Sequence, residues 1–297
     1  MPARPQTIGD WLAWAVRAYA RKKVSLGQVA DNAHDEALYL LLRTLDLPLE
    51  SPRRVLRRTL APGQAAKVAS VFRRRLDERE PAAYLTREAW LGGHRFYVDE
   101  RVIIPRSYFV ELLPEQIPAW LPAGKPVKRA VDVCTGSGCL AVLLAERFPG
   151  AKIDAIELSP DAAAVARFNF AQNDLGARIT LRRSDVFDAV KPVRYDLILA
   201  NPPYVPTREL RDLPEEFKRE PALALDGGRD GLDVVRKLLR QARERLQPHG
   251  IVTLEVGRAR PALEKAFPEL DPHWLHTQDG EDCVCVITAK RLFSWKG

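Results

Sequence analysis

The order of apolar runs predicts an α/β fold, a doubly wound and mostly parallel sheet, preceded by a small helical domain. Three observations carry this. From Val127 onward, short apolar runs alternate with helical stretches, as parallel strands joined by crossover helices do. The first of those runs ends in a glycine-rich turn, Gly136-Ser137-Gly138. The first 80 residues instead show helical periodicity.

In chain order, Thr7 reads as an N-cap with Asp10 in the first turn, and Ile8, Trp11, Leu12, Ala15, Val16 and Tyr19 form an amphipathic stripe. Further helices are expected over 34–46, 52–60 and 62–79, separated by Leu47-Pro48 and Ala61-Pro62-Gly63. The Trp and Leu stripe is core. After Pro81 the pattern changes: Ala89-Trp90-Leu91, Gly92-Gly93, then His94 to Val98 and Val102 to Ile104 read as short strands of a linking hairpin. Pro105-Arg106 closes it, and a helix from about Tyr108 to Trp120 follows. The sheet strands are expected at Arg129 to Val133, Lys152 to Glu157, Arg178 to Arg182, Leu197 to Ala200, Ile251 to Val256 and Cys283 to Ala289. The domains are accordingly 1–87 (helical, substrate recognition), 88–107 (β-hairpin linker) and 108–297 (catalytic).

A length of 297 residues, with 46% hydrophobic and 29% charged residues and no low-complexity tract, suits two folded domains. The N-terminal MPARPQTIGDWLAW lacks the apolar run of a signal peptide, and no window approaches a membrane span, so a soluble cytoplasmic protein without a membrane partner is expected. Cys134, Cys139 and Cys283-Val-Cys285 fit neither a disulfide framework nor zinc spacing; no metal is expected. The net charge of +7 is uneven: residues 1–80 hold 15 Lys and Arg against 9 Asp and Glu. Clusters at Arg21-Lys22-Lys23, Arg53-Arg54, Arg57-Arg58 and Arg73-Arg74-Arg75 would attract RNA or an RNA-bound protein. Solvated helix faces explain them equally well, since Arg (34) outnumbers Lys (12) throughout the chain.

Glycines at the turn after the first strand let the backbone pass close to a ligand at the carboxyl edge of the sheet. Nineteen residues beyond Gly138, the second strand ends in Glu157, where a carboxylate can accept both ribose hydroxyls of an adenosine-type cofactor. Gly136-x-Gly138-x-x-Ala141 also fits the dinucleotide fingerprint of a dehydrogenase. Against that stand Asp132, placed to receive a methionine amino group, and a later motif useless to hydride chemistry. Asp185, after the third strand, is positioned for the adenine amino group or serves as a helix cap.

That later motif is Asn201-Pro202-Pro203-Tyr204, which leaves the end of the fourth strand. Methyl transfer from a sulfonium needs an available nitrogen lone pair, and planar NH2 groups delocalise theirs. The Asn201 side-chain oxygen and the Pro202 carbonyl can each accept one N–H and turn the remaining density toward the methyl group. Pro203 offers no competing N–H, and Tyr204 can stack on the planar group. Asn201, Pro202 and Tyr204 are therefore the expected catalytic residues, with Pro203 completing the substrate-binding motif.

These motifs, with Tyr84-Leu85-Thr86, Ile104-Pro105-Arg106 and the hairpin, resemble the class I methyltransferases. Within them the resemblance is to the HemK/PrmC/PrmB family of protein glutamine N5-methyltransferases. Glu88-Ala89-Trp90, Gly93-His94-x-Phe96-Tyr97-Val98-Asp99-Glu100-Arg101, Pro105-Arg106-Ser107 and the paired Cys134 and Cys139 are most similar to its PrmB type. The resemblance implies a seven-stranded class I methyltransferase sheet and S-adenosylmethionine held by Asp132, Val133, Cys134, Thr135, Gly136, Glu157 and Asn201; Gly138 of the glycine turn and Asp185 complete the expected set from their positions alone. It also implies a glutamine of a large-subunit ribosomal protein held by residues 201–204; the basic clusters of the N-terminal domain add an expected rRNA contact. Val186 stands where the release-factor enzymes of the family carry an aromatic residue. Glutamine methylation of a release factor, adenine-N6 methylation of nucleic acid, and a non-enzymatic ribosome-assembly role are the alternatives.

Overall fold

A computed structural model describes residues 5–296; residues 1–4, where the N-terminal leader reading begins, lie outside the described residues. The chain forms two compact units. One comprises the chain up to Ala89, with Val98–Glu100 and Leu213–Arg219; the other comprises Trp90–Tyr97, Arg101–Asp212 and the chain from Glu220 on.

The helical unit contains α1 (Ile8–Lys22), α2 (Ala33–Thr44), α3 (Pro62–Asp77) and α4 (Ala82–Thr86). Thr7 and Asp10 form a reciprocal capping box on α1, and Asn32 caps α2. Ile8, Leu12, Tyr19, Leu40, Leu41, Phe72 and Leu76 form its core. The helix expected over 52–60 shrinks to a 3-10 turn, Arg53–Arg57. The chain must straighten there, because Thr59 bridges Thr7 and the Arg58 carbonyl accepts from Ile8 N–H. Beneath α2 and α3 lies a buried charge cluster. Glu36 accepts from Arg75 Nε at 2.7 Å and Tyr19 OH at 2.9 Å, while Glu216 meets Arg79 at 2.9 Å and Arg75 at 3.5 Å.

β1 (Ala89–Leu91), which starts on a residue of the helical unit, and β2 (His94–Phe96) form the hairpin. The expected strand at Val102–Ile104 is absent: the segment is irregular, and Ile104 N–H donates to the Glu220 side chain. β2 stops at Phe96 because both polar groups of the Tyr97 backbone bond to the Asn169 side chain. The helix expected over 108–120 breaks into α5 (Phe109–Leu112) and a 3-10 turn at Pro118–Trp120, since Pro114 and Pro118 cannot donate to the preceding turn.

The main sheet is built from β3 (Arg129–Val133), β4 (Lys152–Glu157), β5 (Ile179–Arg183), β6 (Tyr195–Ala200), β7 (Leu246–Glu255), β8 (His273–Leu275) and β9 (Val284–Thr288). Its order is β5-β4-β3-β6-β7-β9-β8, seven strands, with β9 antiparallel to β7 and β8 and the rest parallel. The doubly wound class I arrangement read from the sequence is thus the observed one. The three-residue β8 was not foreseen; it is too short to show a period. Helices α6 (Cys139–Arg147) and α7 (Pro160–Gln172) pack on one face against Ala130, Ile153, Leu197 and Leu199. The other face, with Val131, Val133, Ile198 and Ala200, is covered by α8 (Asp233–Arg245), α9 (Arg260–Ala266) and α10 (Ala289–Ser294). Strand order reverses between β3 and β6, which is where ligands settle in such sheets.

Candidate active site at the carboxyl edge of the sheet

Parallel pairing sets Val133 beside both Ile156 and Ala200, and Ala200 beside Leu254. The segments beginning at Cys134, Glu157, Asn201 and Glu255 therefore emerge along one edge. After β3 the backbone turns through Cys134, Gly136 and Gly138 at φ of 65°, 55° and 86°, values that favour glycine. The turn is closed by Gly138 N–H donating to the Thr135 carbonyl at 2.8 Å. A Cβ at Gly138 would lie 2.4 Å from the Phe170 ring; this glycine is required for the close seating of α6 on α7. Asn169, buried on α7, donates to the Ser137 carbonyl at 2.8 Å and so ties the turn to the end of β2.

The polar groups of this cradle suit the expected cofactor. Asp132 is fully buried; Thr135 Oγ1 donates to its Oδ2, but its Oδ1 has no hydrogen-bond partner. Burial raises its pKa to about 7, as fits a carboxylate that needs a cation beside it. The ammonium of a methionine moiety would supply one. Ser137 Oγ is likewise buried without a hydrogen-bond partner. Glu157 is fixed by Gly136 N–H and Ser159 N–H, each at 2.8 Å to a different oxygen, which leaves a lone pair on each for the two ribose hydroxyls. Burial raises its pKa as well. Asp185 sits past β5 on the same edge, exposed and paired with Lys237 at 2.6 Å. Val186 beside it adopts φ of 52°, a strained conformation for a β-branched residue.

Asn201 to Tyr204 follow β6 as an irregular segment. The Tyr204 ring is seated on Gly257, where a Cβ would approach within 2.6 Å, so one side of the ring is spent on packing. Burial pushes the Tyr204 hydroxyl pKa up, and the nearby Glu255 adds to this. Arg106 forms a two-pronged ion pair with the buried Glu220 at 2.5 and 2.6 Å. It thereby ties the segment after β2 to the chain that follows the acceptor motif.

The residue sequence reading missed is Glu255 at the end of β7. It is buried, with a pKa raised to about 7 by that burial; the Ser107 hydroxyl, the Tyr108 N–H, the Arg106 charge and the Asn201 side chain act in the opposite sense. Ser107 Oγ donates to Glu255 Oε2, and Tyr108 N–H reaches the same oxygen at 3.2 Å. The signal was available: an acid ending an otherwise apolar strand, two strands from the glycine turn. Asn169 offered a weaker one, a lone amide within the apolar face of α7.

Residues 110–228 match the methyltransferase small domain model. The ribosomal protein uL3 glutamine methyltransferase of Bordetella pertussis is 46% identical over 97% of this chain and 96% of its own length. The protein of the same name from Neisseria gonorrhoeae is 44% identical over 96% of this chain and 95% of its own. Among solved structures, the hMettl16 catalytic domain in complex with MAT2A 3'UTR hairpin 1 aligns with a TM-score of 0.52 at 16% identity, covering 86% of this chain and 91% of that one; it shares the fold. With near-complete coverage at this identity, and with the glycine turn, Glu157 and Asn201 on one sheet edge, the chain belongs to the ribosomal protein uL3 glutamine methyltransferase family.

Proposed function

We propose that this protein transfers the methyl group of S-adenosylmethionine to the side-chain nitrogen of a glutamine in ribosomal protein uL3. The observation that carries this is the placement of Asn201 directly beyond the β3–β6 pair, beside the turn that follows β3. Bound S-adenosylmethionine supplies an electrophilic methyl group. Asp132 and Glu157 would hold it by its ammonium and ribose. Asn201 Oδ1 and the Pro202 carbonyl take the two N–H groups of the glutamine amide, fixing its nitrogen in line with the methyl group. No side chain need remove a proton beforehand, since the nitrogen becomes acidic once methylated.

The reading includes an rRNA contact on the helical unit. The arginines of the 73–75 cluster are engaged, with Arg73, Arg74 and Arg75 paired to Glu78, Glu80 and Glu36. Arg53, Arg54, Arg57 and Arg58 are exposed and form no ion pair among the described residues, which leaves them available to phosphates. The asymmetry favours the 53–58 turn over α3 as the RNA-facing element.

Labelled S-adenosylmethionine, uL3, a release factor and ribosomal RNA, incubated with the enzyme and followed by peptide mass spectrometry, test the assignment. A single methylated glutamine in uL3 is expected, and Asn201→Ala should slow it by about 10²- to 10³-fold. Label confined to the release factor or to RNA overturns it.

A further inference from the structure

We propose that Glu255 is a positioning residue of the acceptor site: its carboxylate takes the Asn201 side-chain N–H and thereby turns the Asn201 oxygen toward the incoming amide. The inference rests on the glutamine reading above. Strands β6 and β7 run parallel with Ala200 beside Leu254, so Asn201 and Glu255 are side by side where the strands end. From that neighbouring position the Asn201 side chain lowers the pKa of the Glu255 carboxyl, the sense in which an N–H donor acts on a carboxylate. In its ionised form, which prevails above about pH 7, the carboxylate only accepts, so the Asn201 side chain meets it through its NH2 and keeps its oxygen for the substrate. The opposite orientation would set the Asn201 NH2 against the substrate's own NH2.

Glu255 is itself held in place. The Tyr108 backbone N–H and the Ser107 hydroxyl both donate to its Oε2, and a backbone N–H cannot reverse its polarity. That asymmetry makes the nearly isosteric Glu255→Gln informative. The new amide oxygen must face Tyr108, its NH2 then faces Asn201, and Asn201 has to flip to accept from it.

The expected result for Glu255→Gln is a fall in kcat of about 10²-fold with cofactor affinity unchanged. Adding Asn201→Asp to that variant restores a group that accepts on both sides, and should recover at least about tenfold of the lost rate. Asn201→Asp alone confronts Glu255 with a second carboxylate and stays slow. Independently of any acceptor, the NMR signals of the selectively labelled Asn201 side-chain amide should shift between wild type and Glu255→Gln. Wild-type kcat in Glu255→Gln, a double variant no faster than that single one, or unchanged Asn201 amide signals would each overturn the proposal. If the wild type methylates no glutamine, the preceding reading falls, while the amide signals still decide this one.

Discussion

Glu36, Arg75 and Glu216 in the helical unit and Asp132 with Ser137 in the catalytic unit are all almost completely buried, yet only the first group contains its own countercharge. Arg75 lies between two carboxylates and also donates to the Ser25 carbonyl at 2.9 Å. Asp132 has no cation beside it among the described residues; one oxygen accepts from Thr135, and the other, like Glu36 Oε2, has no hydrogen-bond partner there. A buried charge costs several kcal/mol unless it is paired. The helical unit meets that cost within the folded chain, whereas the cradle leaves it to be offset by a ligand. The two clusters should therefore respond with opposite signs when a charge is removed.

The largest effect is expected in the helical unit. Arg75→Met keeps nearly the same volume but strands Glu36 and leaves Glu216 with Arg79 alone, and should destabilise the protein by about 3–5 kcal/mol, read as a lower denaturant midpoint. An unchanged midpoint would mean that the cluster is not structural.

For Asp132→Asn the sign reverses. A carboxyl whose pKa rises to about 7 on folding keeps its proton in the folded state after the unfolded chain has released it. Stability is then lost as pH climbs from about 4 to about 7, by about 4 kcal/mol in all. In the cofactor-free protein, Asp132→Asn should thus be more stable than wild type by about that amount at pH 8 and equal to it near pH 4. Its affinity for S-adenosylmethionine should collapse. For the wild type, affinity should weaken by about tenfold per pH unit below 7, measured by titration calorimetry. A variant less stable than wild type at pH 8 breaks the comparison.

This contrast also marks what the sequence could reveal. Strands β3 and β4 were legible to the residue because short, mostly apolar runs carry chemically conspicuous groups at or next to their ends, Asp132 and Glu157. The helices over 52–60 and 108–120 were misread because periodicity reports a face and not whether the backbone can stay helical; a bridge from Thr59 to Thr7 and the prolines at 114 and 118 prevented it. The acceptor motif was legible as a motif, but its support was not. Glu255 lies 54 positions beyond Asn201 and becomes its neighbour only through strand register. Glu216 joins Arg75 only because the chain after the acceptor motif enters the helical unit over Leu213–Arg219.

The smallest prediction sharpens the comparison most, because it involves no formal charge. Ser137 Oγ is buried beside the Cys139 sulfur, with no hydrogen-bond partner among the described residues. An unsatisfied buried hydroxyl costs about 1–3 kcal/mol, while replacing it with an apolar group of similar size is close to neutral or stabilising. Ser137→Ala should leave the cofactor-free protein as stable as wild type or more stable by up to about 1 kcal/mol. If the hydroxyl is held in reserve for the cofactor, the same change should weaken S-adenosylmethionine binding by about two- to tenfold, the range of one net hydrogen bond. Loss of stability together with unchanged affinity would show that Ser137 serves the turn itself. The cradle would then resemble the helical cluster in everything except Asp132, and the whole demand for a ligand would rest on that one carboxylate.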